Sequence, residues 1–255
     1  MIIPAEIPIL MYHRVTNTDN KPSTVAVDRF RAQMQYLARH KFYTLTCSQL
    51  AEYISRGHLL PAKPVLITFD DGYRNNYEHA FPILQEFNFT ATIFLVGNHI
   101  GKFNSWETNP SVPRYPLMNR SEIMEMAQTG IEFGSHSMSH KPLNQLSLTE
   151  AKKEIVQSKQ FLEDLLGKEI TSFSYPYNGY TPTIKEFVQE SGYTVACTAG
   201  SGPRPLVQSR INDLFELRRI IIPYSCRLLE YKLRVSGFYL FFKDLGDKKR
   251  WFKKS

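Results

Sequence analysis

The sequence is short of what several classes of protein require. It holds three cysteines in 255 residues, Cys47, Cys197 and Cys226, with no C-x-x-C spacing. So odd and sparse a count gives no disulfide framework, argues against a thiolate zinc site and suits a reducing compartment. No run of about 18 apolar residues occurs, so no helix is expected to span a bilayer. The opening MIIPAEIPIL lacks a basic n-region, a long apolar h-region and a small-residue cleavage site, and reads as mature structure. These absences give the expectation of a cytoplasmic protein, or one peripheral at the inner face of the membrane. A general excess of one charge is missing too. The net charge is +7, but residues 225–255 carry nine Lys/Arg against three Asp/Glu, so six of the seven excess charges sit in the tail. No nucleic acid is expected as partner from a charge this localised.

The rest of the composition is ordinary for a globular chain, 42% hydrophobic and 22% charged. Short apolar runs alternate with helical patterns. IPILMY (7–12), FYTLT (42–46), PVLITF (64–69), TATIFLVG (90–97), IEFGS (131–135), TSFSYP (171–176), YTVACT (193–198) and RRIIIP (218–223) read as strands. Between them, helices are expected over 28–40 with Asp28 as cap, 48–57, 76–87, 120–130, 147–167 and 181–192. The longest opens with a capping box, Ser147 and Glu150, and ends at Gly167. Residues 98–118 read as an irregular loop. Alternating βα units predict a parallel sheet with helices outside, in α/β class. At this length a barrel is expected, with a doubly wound sheet as the alternative.

Two stretches stand out at strand tips. PVLITF runs into Asp70, Asp71 and Gly72, although strand interiors shun adjacent carboxylates. A solvated turn is the plain alternative, but a buried strand aims its last side chains into a barrel mouth. The second is GSHSMSHKPL, with His136 and His140 four residues apart after IEFGS. That spacing lets both imidazoles reach one ion, although the pair alone is equally compatible with a surface. One aspartate and two histidines form a donor set that catalytic zinc accepts, with a position left over. The neighbouring aspartate is then free to accept a proton.

TFDDG followed by HSMSH resembles the polysaccharide deacetylase family, carbohydrate esterase family four, over roughly residues 5 to 224. The resemblance implies a distorted (β/α) barrel of seven or eight parallel strands that removes acetyl groups from sugars, N-acetyl before O-acetyl. It implies Asp70 as catalytic base and Asp71, His136 and His140 as ligands of one divalent metal, with zinc expected. YPYNG resembles the third motif, whose backbone amide at Tyr177 would help hold the oxyanion. ILMYHRV resembles the start of bacterial relatives acting on poly-N-acetylglucosamine and places His13 near the pocket, as a catalytic candidate beside a purely structural role. Two departures follow. The arginine that many members place before the third-motif aromatic is replaced by Ser174, so Arg219 is expected to reach Asp70 instead. The late motif that carries a histidine acid is absent from RRIIIPY, which leaves His13, another proton donor, or an ester substrate with an easier leaving group. A catalytically weak glycan-binding relative, or a hydrolase of a non-sugar amide, therefore stays open beside the acetylated-sugar reading.

Trp106, Tyr115 and Tyr180, in expected loops, are candidates to stack on sugar rings. Residues 1–224 are expected to form the catalytic barrel and 225–255 a basic, aromatic extension. That extension interleaves Lys/Arg with Phe238, Tyr239, Phe241, Phe242, Trp251 and Phe252. It suits an anionic membrane surface. The alternative is a terminal segment that packs its aromatics on the barrel.

Overall fold

The structure, a computed structural model, describes residues 6–109, 113–200 and 213–251. The strands are β1 (Ile9–Tyr12), β2 (Arg14–Val15), β3 (Thr24–Val25), β4 (Tyr43–Leu45), β5 (Pro64–Phe69), β6 (Thr92–Leu95), β7 (Glu132–Ser135), β8 (Ser172–Ser174), β9 (Val195–Thr198), β10 (Leu217–Arg218) and β11 (Ile220–Ile221). The α-helices are α1 (Val27–Arg39), α2 (Cys47–Ser55), α3 (Phe81–Glu86), α4 (Arg120–Ala127), α5 (Leu148–Leu166), α6 (Pro182–Glu190), α7 (Leu228–Arg234) and α8 (Tyr239–Trp251).

Parallel pairing runs β10-β9-β8-β7-β6-β5-β1-β11, and β4 pairs the first half of β5. β10 and β11 are separated only by Arg219, so one broken stave closes the ring between β9 and β1. The expected strand 218–223 is thus two short pairings, each with a different neighbour. The period-two alternation of strands sorts the core. Ile9, Leu66, Phe94, Val195, Cys197 and Leu217 fill the barrel interior, joined by Cys47, Leu50 and Ala51 of α2. Leu10, Tyr12, Ile67, Phe69, Ile93, Phe133, Phe173 and Ile220 face outward into the packing beneath the helices.

Local signals account for most helix ends. The Ser147 side chain accepts from the Glu150 N–H, the Glu150 carboxylate accepts from the Ser147 N–H, and Gly167 ends α5 at φ 65°. The first helix begins differently from expectation. Ala26 is its N-cap and Asp28 lies in the first turn, where its charge meets the positive helix end without capping it. The expected helix over 76–87 opens as a wide π turn, Asn76–Ala80, because Pro82 has no N–H for the ordinary α bond.

Beyond residue 224, α7 and the start of α8 lie against the barrel. Tyr231, Val235 and Leu240 are buried in the outer core. The Leu240 and Phe241 N–H groups donate to the Glu6 carboxylate at 2.9 and 2.7 Å, so the start of the barrel caps α8. The Asp244 carboxylate accepts from both terminal nitrogens of Arg218, at 2.8 and 3.1 Å. Of the tail aromatics, Phe238, Tyr239 and Phe241 are half-buried and Phe242 is exposed. The Trp251 side chain and Phe252 lie outside the described residues.

Candidate active site

Four inward positions converge at the C-terminal mouth of the barrel. β5 continues its alternation through Leu66 and Thr68 to Asp70, and β7 through Gly134 to His136. β8 delivers Ser174, and the break in the last stave delivers Arg219. Simple alternation would turn Asp71 away from the mouth. Its backbone lies at φ 76°, and Gly72 follows at φ 73°, which sets the Asp71 carboxylate beside the histidines. A side chain at Gly72 would also place a Cβ 2.6 Å from Leu95 Cδ2. Left-handed backbone recurs at Ser137, His140, Tyr177 and Asn178. So many such residues around one mouth mark a geometry that the surrounding structure must enforce.

Asp71, His136 and His140 offer ligand atoms that all lie within 4.8 Å of one another, and all three are buried. Asp71 Oδ1 is 3.0 Å from His140 Nε2 and 3.6 Å from His136 Nε2. It is a buried oxygen with no hydrogen-bond donor aligned on it. An orphaned carboxylate oxygen facing two imidazoles fits a divalent cation, since the bare arrangement leaves its lone pairs unsatisfied. His136 Nδ1 lies 2.7 Å from the Ser174 carbonyl oxygen. That assigns the proton to Nδ1 and leaves the Nε2 lone pair toward Asp71. Burial pulls His136 down to about 4, which keeps it neutral, as a ligand must be. Burial alone would raise Asp71, but the attraction of His140 prevails and holds its carboxyl well below the usual range.

Asp70 is held by a separate cation. Arg219 Nη1 donates to Asp70 Oδ1 and Nη2 to Asp70 Oδ2, both at 2.7 Å. The other three N–H groups reach Thr198 O at 3.1 Å, Thr68 Oγ1 at 3.2 Å and Ser174 Oγ at 2.9 Å. All five guanidinium donors are used, with the cation 5.5 Å from the Phe94 ring and 1% exposed. Burial would raise Asp70, but the Arg219 charge outweighs it, and the carboxyl stays ionised below its ordinary range. Ser174, standing where the resemblance leads one to look for arginine, accepts from the arginine that replaces it.

Above these groups opens a cavity of about 350 Å³, lined among others by His13, Lys21, Asp70, Asp71, Trp106 and Tyr177. His13 is half-buried there. Trp106 and Tyr177 flank His140 with ring centroids at 4.5 and 4.6 Å, and Tyr177 is 60% exposed. Of the three aromatics considered for stacking, Trp106 lines the cavity and the others do not. Tyr115 is buried against the Arg14 guanidinium at 4.0 Å, and Tyr180 stacks on Tyr175. Sequence reasoning missed Lys21, Ser23 and Glu107 on the cavity wall. Loop residues without a pattern of their own give no local signal.

The chain as a whole is similar to known proteins. Residues 59–196 match the family model described as polysaccharide deacetylase. YxkH of Bacillus subtilis, a polysaccharide deacetylase by assignment, is 30% identical over 217 residues, 85% of this chain and 71% of its own. The poly-beta-1,6-N-acetyl-D-glucosamine N-deacetylase of Staphylococcus epidermidis is 30% identical over 191 residues, 66% of this chain and 63% of its own length. Among solved structures, the Streptococcus pyogenes deacetylase PplD, in complex with acetate, superposes with a TM-score of 0.78 at 25% identity, over 91% of this chain and 99% of that one. With the mouth of the barrel built around Asp70, Asp71, His136 and His140, the chain belongs to the polysaccharide deacetylase family.

Proposed function

We propose that this protein hydrolyses the acetamido group of an N-acetylated glycan, leaving acetate and a free amine on the sugar. The observation that carries this reading is the pairing of an Asp-His-His cluster with a second carboxylate locked by its own arginine. Zinc is the metal we assign to Asp71, His136 and His140, since two nitrogens and one oxygen leave a position open. When bound, it would act as a Lewis acid that polarises a carbonyl and lowers the pKa of water toward about 7.

The chain's own groups divide the remaining work. Asp70, ionised and fixed by Arg219, takes the proton from the water that adds to the acetyl carbon. The Tyr177 backbone N–H donates to the oxygen on which charge develops. His13 gives a proton to the sugar nitrogen as the C–N bond breaks, in place of the histidine missing from the last strand. Trp106 and the exposed Tyr177 ring offer flat faces to the pyranose. Acetate release from N-acetylglucosamine oligomers tests the assignment. The zinc-loaded protein is expected to release acetate, chelation to abolish it, and Asp70→Asn to slow it by about 10²- to 10⁴-fold. Metal bound with no acetate from any acetylated sugar refutes deacetylation.

For the tail we propose contact with an anionic bilayer at the inner face of the membrane. Leu229 and Leu233, one turn apart on α7, are 74% and 61% exposed, and Phe242 and Leu245 are exposed on α8. Arg227 and Lys232 lie among them, while Glu230 pairs with Arg234 and Asp244 with Arg218. Apolar side chains set among cations favour an anionic interface. Because α7 carries core residues, the test uses substitutions in place of truncation. Leu229→Glu with Leu233→Glu is expected to reduce pelleting with phosphatidylglycerol vesicles, and unchanged pelleting removes the idea.

A further inference from the structure

The loop between the two histidine ligands, residues 136–140, has five backbone N–H groups, and each has a partner. His136 N–H donates to Leu95 O at 2.8 Å, Ser137 N–H to Ser135 Oγ at 3.2 Å and His140 N–H to Ser137 Oγ at 3.1 Å. The other two go to one carboxylate outside the loop. Met138 N–H and Ser139 N–H donate to Glu154 Oε2 at 2.9 and 2.8 Å, and Ser139 Oγ donates to Glu154 Oε1 at 2.6 Å. Glu154 stands in the second turn of α5, half-buried, and spends both oxygens on this loop.

The loop needs such a hold. Ser137 and His140 have φ of 63° and 60°, a conformation that costs an ordinary residue of order 1 kcal/mol or more. Its carbonyls are pinned from the far side, where Gly97 and Asn98 N–H groups donate to Ser137 O and Met138 O at 3.1 and 2.9 Å. The loop is therefore clamped between the 97–98 turn and Glu154. Releasing one jaw frees the segment that sets where His140 stands relative to His136.

We propose that Glu154 is a positioning residue for the metal site, holding His140 at the separation from His136 and Asp71 that a divalent ion requires. The proposal rests on the metal-site reading above. Outer groups that orient ligands typically change metal affinity by about 10- to 100-fold. Glu154→Met keeps the side-chain bulk and removes both carboxylate oxygens, leaving only a weakly accepting sulfur. Glu154→Gln keeps one oxygen for the two N–H groups and turns its NH2 toward Ser139 Oγ, which can accept.

The experiment measures zinc dissociation constants by competition with a chromophoric chelator, and the visible spectrum of the cobalt-substituted protein. Glu154→Met is expected to bind zinc about 10- to 100-fold more weakly and to alter the cobalt spectrum, while Glu154→Gln stays within about threefold of the wild type. Ser139→Ala, which removes one of the three bonds and leaves the helix intact, is expected to fall between them. It decides the matter if Glu154→Met does not fold. Wild-type affinity and spectrum in Glu154→Met, or in Ser139→Ala where Glu154→Met is unfolded, overturn the positioning role and leave the metal site standing. A wild-type protein that binds neither ion overturns the metal site itself, and the role of Glu154 with it.

Discussion

Replacing Arg219 by methionine tests the most distinctive feature of the site. The guanidinium and the Asp70 carboxylate are both buried, at 1% and 3% exposure, and meet through two 2.7 Å bonds. Removing one partner of such a pair leaves an uncompensated buried charge, at a cost of about 3–5 kcal/mol. The pH dependence identifies the cause. In the wild type the folded pKa of Asp70 lies below its unfolded value of about 3.9. Its contribution is therefore fully present above that pH and is lost as pH falls through the folded pKa. In Arg219→Met burial is the largest influence left, opposed only by the smaller attraction of His136 and His13, so the folded pKa is expected to rise above the unfolded one. The variant then loses stability as pH rises and regains it toward acid. Urea denaturation at pH 7 is expected to show a gap of about 3–5 kcal/mol that narrows as the pH approaches 4. Adding Asp70→Asn to Arg219→Met is expected to restore part of the loss at pH 7. Zinc affinity should stay within a few-fold, because Arg219 touches none of the three ligands, while acetate release falls with the protonated base. A gap independent of pH, or full deacetylation by the variant, would refute the reasoning.

Three further outcomes are expected. His13→Gln should lower kcat for an acetamido sugar by about 10²-fold or more and affect an acetate ester of a good leaving group far less, with zinc affinity unchanged; equal effects on both substrates exclude His13 as the proton donor. Trp106→Ala should raise KM for N-acetylglucosamine oligomers by about 2- to 10-fold with little change in kcat, as loss of one stacking face implies; an unchanged KM places the sugar elsewhere. Gly72→Ala puts a Cβ at φ 73° and 2.6 Å from Leu95 Cδ2, and should lower stability by about 1–3 kcal/mol in urea titration, with an unchanged midpoint contradicting the strained turn.

Much of the barrel was legible because its signals are local. Apolar runs alternating with capped helices announce βα units, and Ser147, Glu150 and Gly167 mark the ends of α5 within the sequence itself. Asp70-Asp71 and His136-x-x-x-His140 stood out as candidates by residue type and spacing, and Asp71, His136 and His140 do come together. The expected reach of Arg219 to Asp70 also has its observed contact. The sequence alone could not say how two adjacent aspartates serve one mouth, because alternation would oppose them and only the left-handed backbone at Asp71 brings both inward. Nor could it show that Glu154 clamps the histidine loop, that Glu6 caps α8 or that Ser174 accepts from Arg219, since each pairing joins elements placed together by packing and ring closure. Side-chain periodicity and capping act over a few residues and can be read in one dimension. Hydrogen bonds between groups tens to hundreds of residues apart exist only once the barrel has closed.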